Sequence, residues 1–302
     1  MDAECYDLLT RLRLPQVRLI SIAELELADP ELVATKESRS RIEYYFTCSP
    51  SLPLYVLRSD SEIDIITYLD ADIYLFSDLE PIFTEFGTHS VGITGHRFPV
   101  PLLHLEEYGR YNVGWLMFRN DRAGLECLAW WRERCLEWCY DRYETGRFAD
   151  QKYLDEWPRR FPGTVVLDHP GLNAAPWNLG GVSVCETEAG VQINGRPLVC
   201  FHFHGFKRIW SWLYEPNLSE YQVESSLAIR RGIFAPYIHE LSAIEGELKA
   251  LPGGTSPAII LKRGGIQSIG ALQYLGWVRR WLRICRRSVM GQCLILVNGR
   301  VL

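Results

Sequence analysis

The stretch that most constrains the fold is an apolar, β-branched run that ends in two carboxylates, Ile65-Ile66-Thr67-Tyr68-Leu69-Asp70-Ala71-Asp72. A second apolar run, Ile73-Tyr74-Leu75-Phe76, follows it. A strand covered on both faces reads as continuous Ile, Leu and Tyr, so the first half predicts a buried central strand. Packing does not explain the carboxylates. Residues two apart in an extended segment point the same way, which would bring Asp70 and Asp72 to one place. Like charges held that close are costly unless a cation lies between them, and hard oxygen donors suit Mg²⁺ or Mn²⁺. A solvated turn at a strand end explains the same pair without a metal.

Elsewhere the pattern alternates. Residues 3–13 read as an amphipathic helix and Val17–Ile22 as a strand. Asp29-Pro30 marks a helix start, helical pattern covers 38–46, and 53–57 reads as a separate turn or helix. Strands are expected at 63–69, 91–94, 112–118, 164–167 and 199–205, a long helix at 121–143 and a helix start at 147–154. Gly171 to Gly181 is a loop rich in Gly, Pro and Asn. Strands alternating with helices give an α/β layered fold.

Cysteine usage and charge narrow the setting. Nine Cys (5, 48, 127, 135, 139, 185, 200, 285 and 293) form no CxxC pair and read as reduced thiols in apolar segments, as in a cytoplasmic protein. Cys135 and Cys139, one helical turn apart, read as packing. The opening Met1-Asp2-Ala3-Glu4 is acidic, unlike a secretory leader, and no apolar run reaches the ~20 residues a membrane span needs. Residues 250–302 hold eight of the 32 Lys and Arg and none of the 37 Asp and Glu, so the tail carries +8 against a body of −13. That split predicts domains at 1–245 and 246–302. The amphipathic, Arg- and Trp-rich stretch 271–284 suits either an anionic membrane surface, met through 265–302, or the acidic body itself. No nucleic-acid partner is expected.

Several polar residues need weighing. His202 and His204 alternate in their expected strand, closed by Gly205 and followed by Lys207 and Arg208. Imidazole suits a Mn²⁺-class ion and the cations suit phosphate, whereas hydrogen-bonded core histidines are the ordinary alternative. Asp150 and Gln151 open a helix, where polar side chains complement the dipole. Arg39 lies on a segment that reads as a solvated helix face. Trp130 and Trp131 read as packing. The chain has no GxGxxG, Walker or GxSxG motif, so dinucleotide, P-loop and serine-hydrolase chemistry have no support.

Taken in order, these motifs resemble the nucleotide-sugar glycosyltransferases of GT-A fold, most closely the glycogenin-like family 8 type. Tyr68-Leu69-Asp70-Ala71-Asp72 is similar to that family's DxD segment, Asn112-Val113-Gly114 to its N-S-G-V stretch, and Asp150-Gln151 to its D-Q motif. His202-Phe203-His204-Gly205 is similar to its H-F-x-G metal motif, and Trp210 falls at the Trp of its K-P-W. The stretch from Tyr44 to Asn178 also resembles an uncharacterised bacterial group of glycosyltransferase-like proteins. The resemblance implies a mixed central sheet flanked by helices. It implies Mn²⁺ or Mg²⁺ on Asp70, Asp72 and His202, with His204 as the alternative, and donor contacts from Asn112, Gly114, Lys207, Arg208 and Arg39. Asp150 and Gln151 would stand at the reacting sugar, with retention of configuration, and Trp177 and Asn178 at the acceptor. The implied partners are a nucleotide-sugar donor and a glycan or lipid-linked acceptor, in the cytoplasm or at the inner face of the membrane.

The chain departs from the family at Arg208-Ile209-Trp210, which replaces K-P-W. Only one strand is expected ahead of Asp70, so the first one or two strands of the GT-A sheet are expected to be missing. Two other readings stand beside the transferase. One is a metal-dependent nucleotidyltransferase; the other is an inactive domain that binds sugars or a partner protein.

Overall fold

The computed structural model describes residues 1–251, 292–297 and 299–302, which fall into two compact units, Met1–Gly181 with Arg196–His202, and Val182–Gly195 with Phe203–Leu302. The basic stretch 271–284 lies outside the described residues.

The first unit is mixed α/β, as expected, with a central mixed sheet flanked by helices. Its helices are α1 (Ala3–Leu12), α2 (Ile22–Ala28), α3 (Pro30–Thr35), α4 (Arg41–Ser59), α5 (Glu80–Phe86), α6 (Arg122–Glu137) and α7 (Trp157–Arg160). Its strands are β1 (Ile65–Leu69), β2 (Ile73–Leu75), β3 (Val91–Gly95), β4 (Tyr111–Arg119) and β5 (Thr164–Leu167). The sheet order is β1-β4-β3-β5, with only β3 and β5 parallel.

β4 explains how the layers form. Leu116 and Phe118 pack with Leu54 and Leu57 of α4 and with Leu128, Trp131 and Cys135 of α6. The alternate residues Trp115 and Met117 pack with Ile82 and Phe86 of α5. Each large apolar side chain buried this way contributes ~1.5–3 kcal/mol. A register shift opposite Ile93 and Thr94 breaks the alternation, so that Val113 returns to the side of Leu116. The bulge thereby re-aims the mouth of the strand, where Asn112 and Gly114 lie.

Four sequence expectations need correction. β1 is an edge strand of the described sheet and its residues are half-buried or exposed, not covered on both faces. Residues 17–21 are not a strand. Ser21 caps α2 by accepting from the Glu24 amide, and the run's backbone bonds go to the N-terminus, with Ile20 O accepting from the Met1 ammonium and Met1 O from Ile22 N. No strand precedes β1 among the described residues. The two helices expected over 38–57 are one 19-residue helix, α4, which runs through Pro50 and Pro53 from a Ser40–Glu43 capping box. α6 ends at Glu137 because Trp138 turns extended and the chain enters a cluster in which Arg39 and Arg142 lie over the Tyr140 ring.

Cys127, Cys135, Cys139, Cys200 and Cys293 are buried free thiols, while Cys5 and Cys185 are exposed ones. The first unit also contains β8 (Arg196–Pro197) and β9 (Cys200–His202). β9 pairs antiparallel with β2, placing Ile73 opposite His202.

The second unit has a β6 (Val184–Thr187) to β7 (Gly190–Ile193) hairpin and an antiparallel sheet of β10 (Lys207–Trp210), β11 (Leu213–Glu215), β12 (Leu294–Val297) and β13 (Arg300–Val301). A π-helical turn, Ile229–Phe234, leads into α8 (Ala235–Ala250), which crosses residue 245. Its core is aromatic, with Phe203 stacked on Tyr237 and Phe206 on Tyr214 and Phe234. No described helix is long and apolar enough to cross a membrane.

Candidate metal and sugar site

Asp70, Asp72 and His202 converge. One donor atom from each lies within 4.8 Å of the others, the only such group of three among the described residues. The carboxylates do not meet by strand alternation. The chain leaves β1 at Asp70 and turns through Ala71 and Asp72, with Ile73 N donating to Asp70 O at 3.2 Å. The β2–β9 pairing then delivers the imidazole, leaving His202 Nε2 3.0 Å from Asp72 Oδ1 and 3.8 Å from Asp70 Oδ2. His202 is buried, whereas about a third of the Asp70 side chain and more of Asp72 reach solvent. Burial raises the Asp70 carboxyl above its ordinary value; His202 opposes that, Asp72 adds to it, and the Tyr68 hydroxyl opposes it.

Gly114 fits beneath the imidazole. A Cβ there would lie 2.5 Å from His202 Nδ1 and 2.7 Å from Asn112 Oδ1. Two carboxylates and one imidazole, oriented by the surrounding protein, fit Mn²⁺ or Mg²⁺.

Beside this group lies a buried amide network. Asn112 Oδ1 accepts from Gly114 N at 2.9 Å and from Asn173 Nδ2 at 3.0 Å. Its Nδ2 faces His96 Nε2 and Gln151 Oε1, both at 3.3 Å. Nε2 of His96 is therefore the acceptor, which assigns the ring proton to Nδ1. Asn173, at φ +49°, also donates to Thr94 Oγ1 at 2.8 Å. Asn178 donates to the carbonyls of His96 and Asn173, both at 3.2 Å. Arg97 fastens the same loop by donating to the carbonyls of His169 and Leu172.

On the other side, the Tyr68 hydroxyl donates to Asp70 Oδ1 at 3.1 Å and lies 3.3 Å from Ser49 Oγ. Burial pushes the nearby Asp150 carboxyl up to about 7, and the Ser49 hydroxyl opposes that rise. A cavity of about 580 Å³ opens beside the carboxylate turn, with Tyr68, Leu69, Ala71, Ser49, Tyr45 and Leu52 among its lining residues.

The structure thus brings Asp70, Asp72, His202, Asn112, Gly114 and Gln151 together, with the buried Asp150 carboxyl close enough to influence Tyr68. The other sequence candidates are engaged differently. Trp177 is buried, with its ring edge-on to both His96 and His202, and Asn178 is buried within the amide network, so neither offers a face to solvent. Arg39 lies 3.8 Å over the Tyr140 ring and donates to Leu136 O. His204 does not share a strand face with His202, because β9 stops at His202 and the chain turns at Gly205, φ +69°. It belongs to the second unit and is not one of the three clustered residues. In that unit Lys207 and Arg208 are exposed on β10, and the Arg208 guanidinium is paired with Glu245 at 2.6 Å.

Sequence reasoning missed Ser49, Tyr68 as a donor, Thr94, His96 and Asn173. The sequence signal was slight: polar residues next to apolar strand ends, and two asparagines in one short loop.

No protein-family model matches the chain. It is 34% identical over 215 residues to uncharacterized protein YfnF of Bacillus subtilis (strain 168), covering 68% of this chain and 70% of that protein. It is 31% identical over 254 residues to uncharacterized protein YfnD of the same organism, covering 83% of this chain and 80% of that protein. The chain belongs to the family of these two proteins. Among solved structures, it is similar to a glycosyltransferase involved in glycosylation of the major capsid of PBCV-1. That match has TM-score 0.40 and 14% identity and covers 55% of this chain and 73% of the other. It is also similar to galactosyltransferase LgtC in complex with donor and acceptor sugar analogs, with TM-score 0.39, 16% identity and 67% of each chain covered. At these scores neither activity nor substrate carries over to this member of the YfnF and YfnD family.

Proposed function

We propose that the chain is a metal-dependent glycosyltransferase of GT-A type that moves a sugar from a nucleotide-diphosphate donor to a glycan or lipid-linked acceptor. The observation that carries the reading is the meeting of Asp70, Asp72 and His202 beside a cavity of about 580 Å³. Those three residues would hold Mn²⁺ or Mg²⁺. When bound, the ion supplies Lewis-acid stabilisation for the diphosphate, whose charge grows as the anomeric bond breaks.

The chain's own groups do the rest. Gly114 and Asn112 keep the imidazole seated, and the cavity beside Ala71 offers room for the nucleoside end of a donor. Gln151, the partly exposed member of the amide network, is placed to face a sugar, and its bonds to Asn112 and Tyr108 O keep it oriented at little reorganisation cost. Lys207 and Arg208 are candidate phosphate contacts in the second unit, and Arg208 would have to share its charge with Glu245. The family 8 likeness supports retention of configuration, and the basic residues of 265–302 support attachment to an anionic membrane face.

The test is thermal stabilisation of the full chain by UDP or GDP with Mn²⁺, with Asp72→Ala as control. Ion-dependent stabilisation that the variant loses is expected. A preference for a nucleoside triphosphate would replace the reading with a nucleotidyltransferase, and no response to any nucleotide would replace it with a binding module.

A further inference from the structure

The two oxygens of Asp70 have different surroundings. Oδ2 faces the cluster, 3.8 Å from His202 Nε2, while Oδ1 faces back into the protein and accepts the Tyr68 hydroxyl at 3.1 Å. Tyr68 is itself held from behind. Its hydroxyl lies 3.3 Å from Ser49 Oγ, on the buried side of α4, and Ser49 Oγ lies 3.5 Å from Tyr45 O one turn earlier in the same helix. The Ser49 and Tyr68 hydroxyls therefore lead from the buried side of α4 to one oxygen of one clustered carboxylate.

We infer that Tyr68, backed by Ser49, is a positioning residue that turns Asp70 so that a single oxygen, Oδ2, serves as its ligand atom. The inference rests on the metal reading above. An aspartate carboxylate at the end of a turn rotates about its last torsion and can present one oxygen or both to a divalent ion. Donation from Tyr68 to Oδ1 occupies that oxygen and fixes the rotation. Asp70 then takes one coordination position, and the position Oδ1 would fill stays open to water or to a substrate oxygen. Removing the phenol hydroxyl frees Oδ1, so Asp70 either swings or binds through both oxygens. Outer partners of this kind typically change metal affinity by about 10–100-fold.

The experiment titrates Mn²⁺ into the full chain without nucleotide and follows free Mn²⁺ by electron paramagnetic resonance and bound water by proton relaxation enhancement. Wild type, Tyr68→Phe, Ser49→Ala and Asp72→Ala are compared, with metal-free melting temperatures as the fold control. Expected are weakening of about 10–100-fold in Tyr68→Phe, a smaller weakening in Ser49→Ala, and an altered count of bound waters in Tyr68→Phe. Mn²⁺ binding in wild type that both hydroxyl variants match, in affinity and in water count, overturns the inference and leaves the metal reading standing. Absence of Mn²⁺ binding in wild type overturns the metal reading itself, and the inference with it. If Tyr68→Phe melts early, Ser49→Ala decides, since it removes the support and leaves the phenol in place.

Discussion

Replacing Asp150 with asparagine isolates the cost of one buried carboxyl. Asp150 is 5% exposed, and burial, opposed by the Ser49 hydroxyl and assisted by the charge of Asp70, pushes its carboxyl up to about 7. An unfolded aspartate ionises near pH 4, at about 3.9. Between those values the folded chain keeps a proton that the unfolded chain has released, so stability falls as pH rises and levels off above about 7. A gap of roughly three pH units corresponds to about 4 kcal/mol at 1.36 kcal/mol per unit.

The asparagine has nearly the same shape and never ionises, so Asp150→Asn should gain on wild type by about 3 kcal/mol between pH 4.5 and pH 8, the rest having been lost already at pH 4.5. Urea denaturation across this range, without divalent ions, measures it. The other titrating groups are common to both chains and cancel in the difference, apart from Asp70, whose ionisation the lost neighbour eases. Two stability curves that run parallel with pH would refute the reasoning, because they would mean that Asp150 ionises folded as it does unfolded.

Three further perturbations read other parts of the argument. Gly114→Ala puts a methyl 2.5 Å from His202 Nδ1, so the ring must move; destabilisation of about 1–3 kcal/mol is expected, with Mn²⁺ affinity lost more than proportionately, and unchanged Mn²⁺ binding would show that the imidazole is not a ligand. Asp29→Ala removes the carboxylate that accepts from Leu32 N, Ser51 Oγ and Arg132, which should cost about 3 kcal/mol and lower the melting temperature by about 6–12 °C. Arg132 and these hydrogen bonds, working against burial, hold that carboxyl below its usual range; the contribution is therefore present above about pH 4 and fades as acid protonates it, so the two chains should converge in acid. Neutralising Arg279, Arg280 and Arg283 with glutamine should reduce co-sedimentation with anionic liposomes, whereas deleting 265–302 would also remove β12 and β13; equal pelleting would end the membrane proposal.

The sequence made the strands legible where an apolar run has clear polar or glycine boundaries. β3, β4 and β5 are short apolar runs bounded by polar or glycine residues, and each lies close to where pattern alone predicts it. It was less informative where a local signal had two physical meanings. Val17–Ile22 carries strand composition, yet Ser21 three residues before Glu24 is also a helix start, and no partner strand was available to decide otherwise. Residues 38–46 and 53–57 read as separate elements, yet α4 runs through both and through Pro50 and Pro53. For the site, the DxD pair and His202 were legible as residues but not as geometry. A turn and a two-stranded pairing bring them together, and neither has a period that can be read along the chain. Ser49, His96 and Asn173 come from three distant segments, and only the tertiary fold shows that they flank one cluster.

The asymmetry of that cluster bears on what it can bind. His202 is sealed between Gly114 and Trp177, and Asn112 behind it has all its polar groups engaged, so this wall cannot adjust to a ligand. Asp70 and Asp72 form the opposite lip and remain partly solvated because β1 is an edge strand and Asp70 lies just beyond its end. A structural metal would be expected inside a closed shell of protein donors, as closed sites are. Three donors, with one wall rigid and the other open, instead leave about half of a six-coordinate Mg²⁺ or Mn²⁺ shell for water and substrate oxygens. On that argument the edge position of β1 serves the site. A covering strand would have sealed the lip that the proposed donor has to reach.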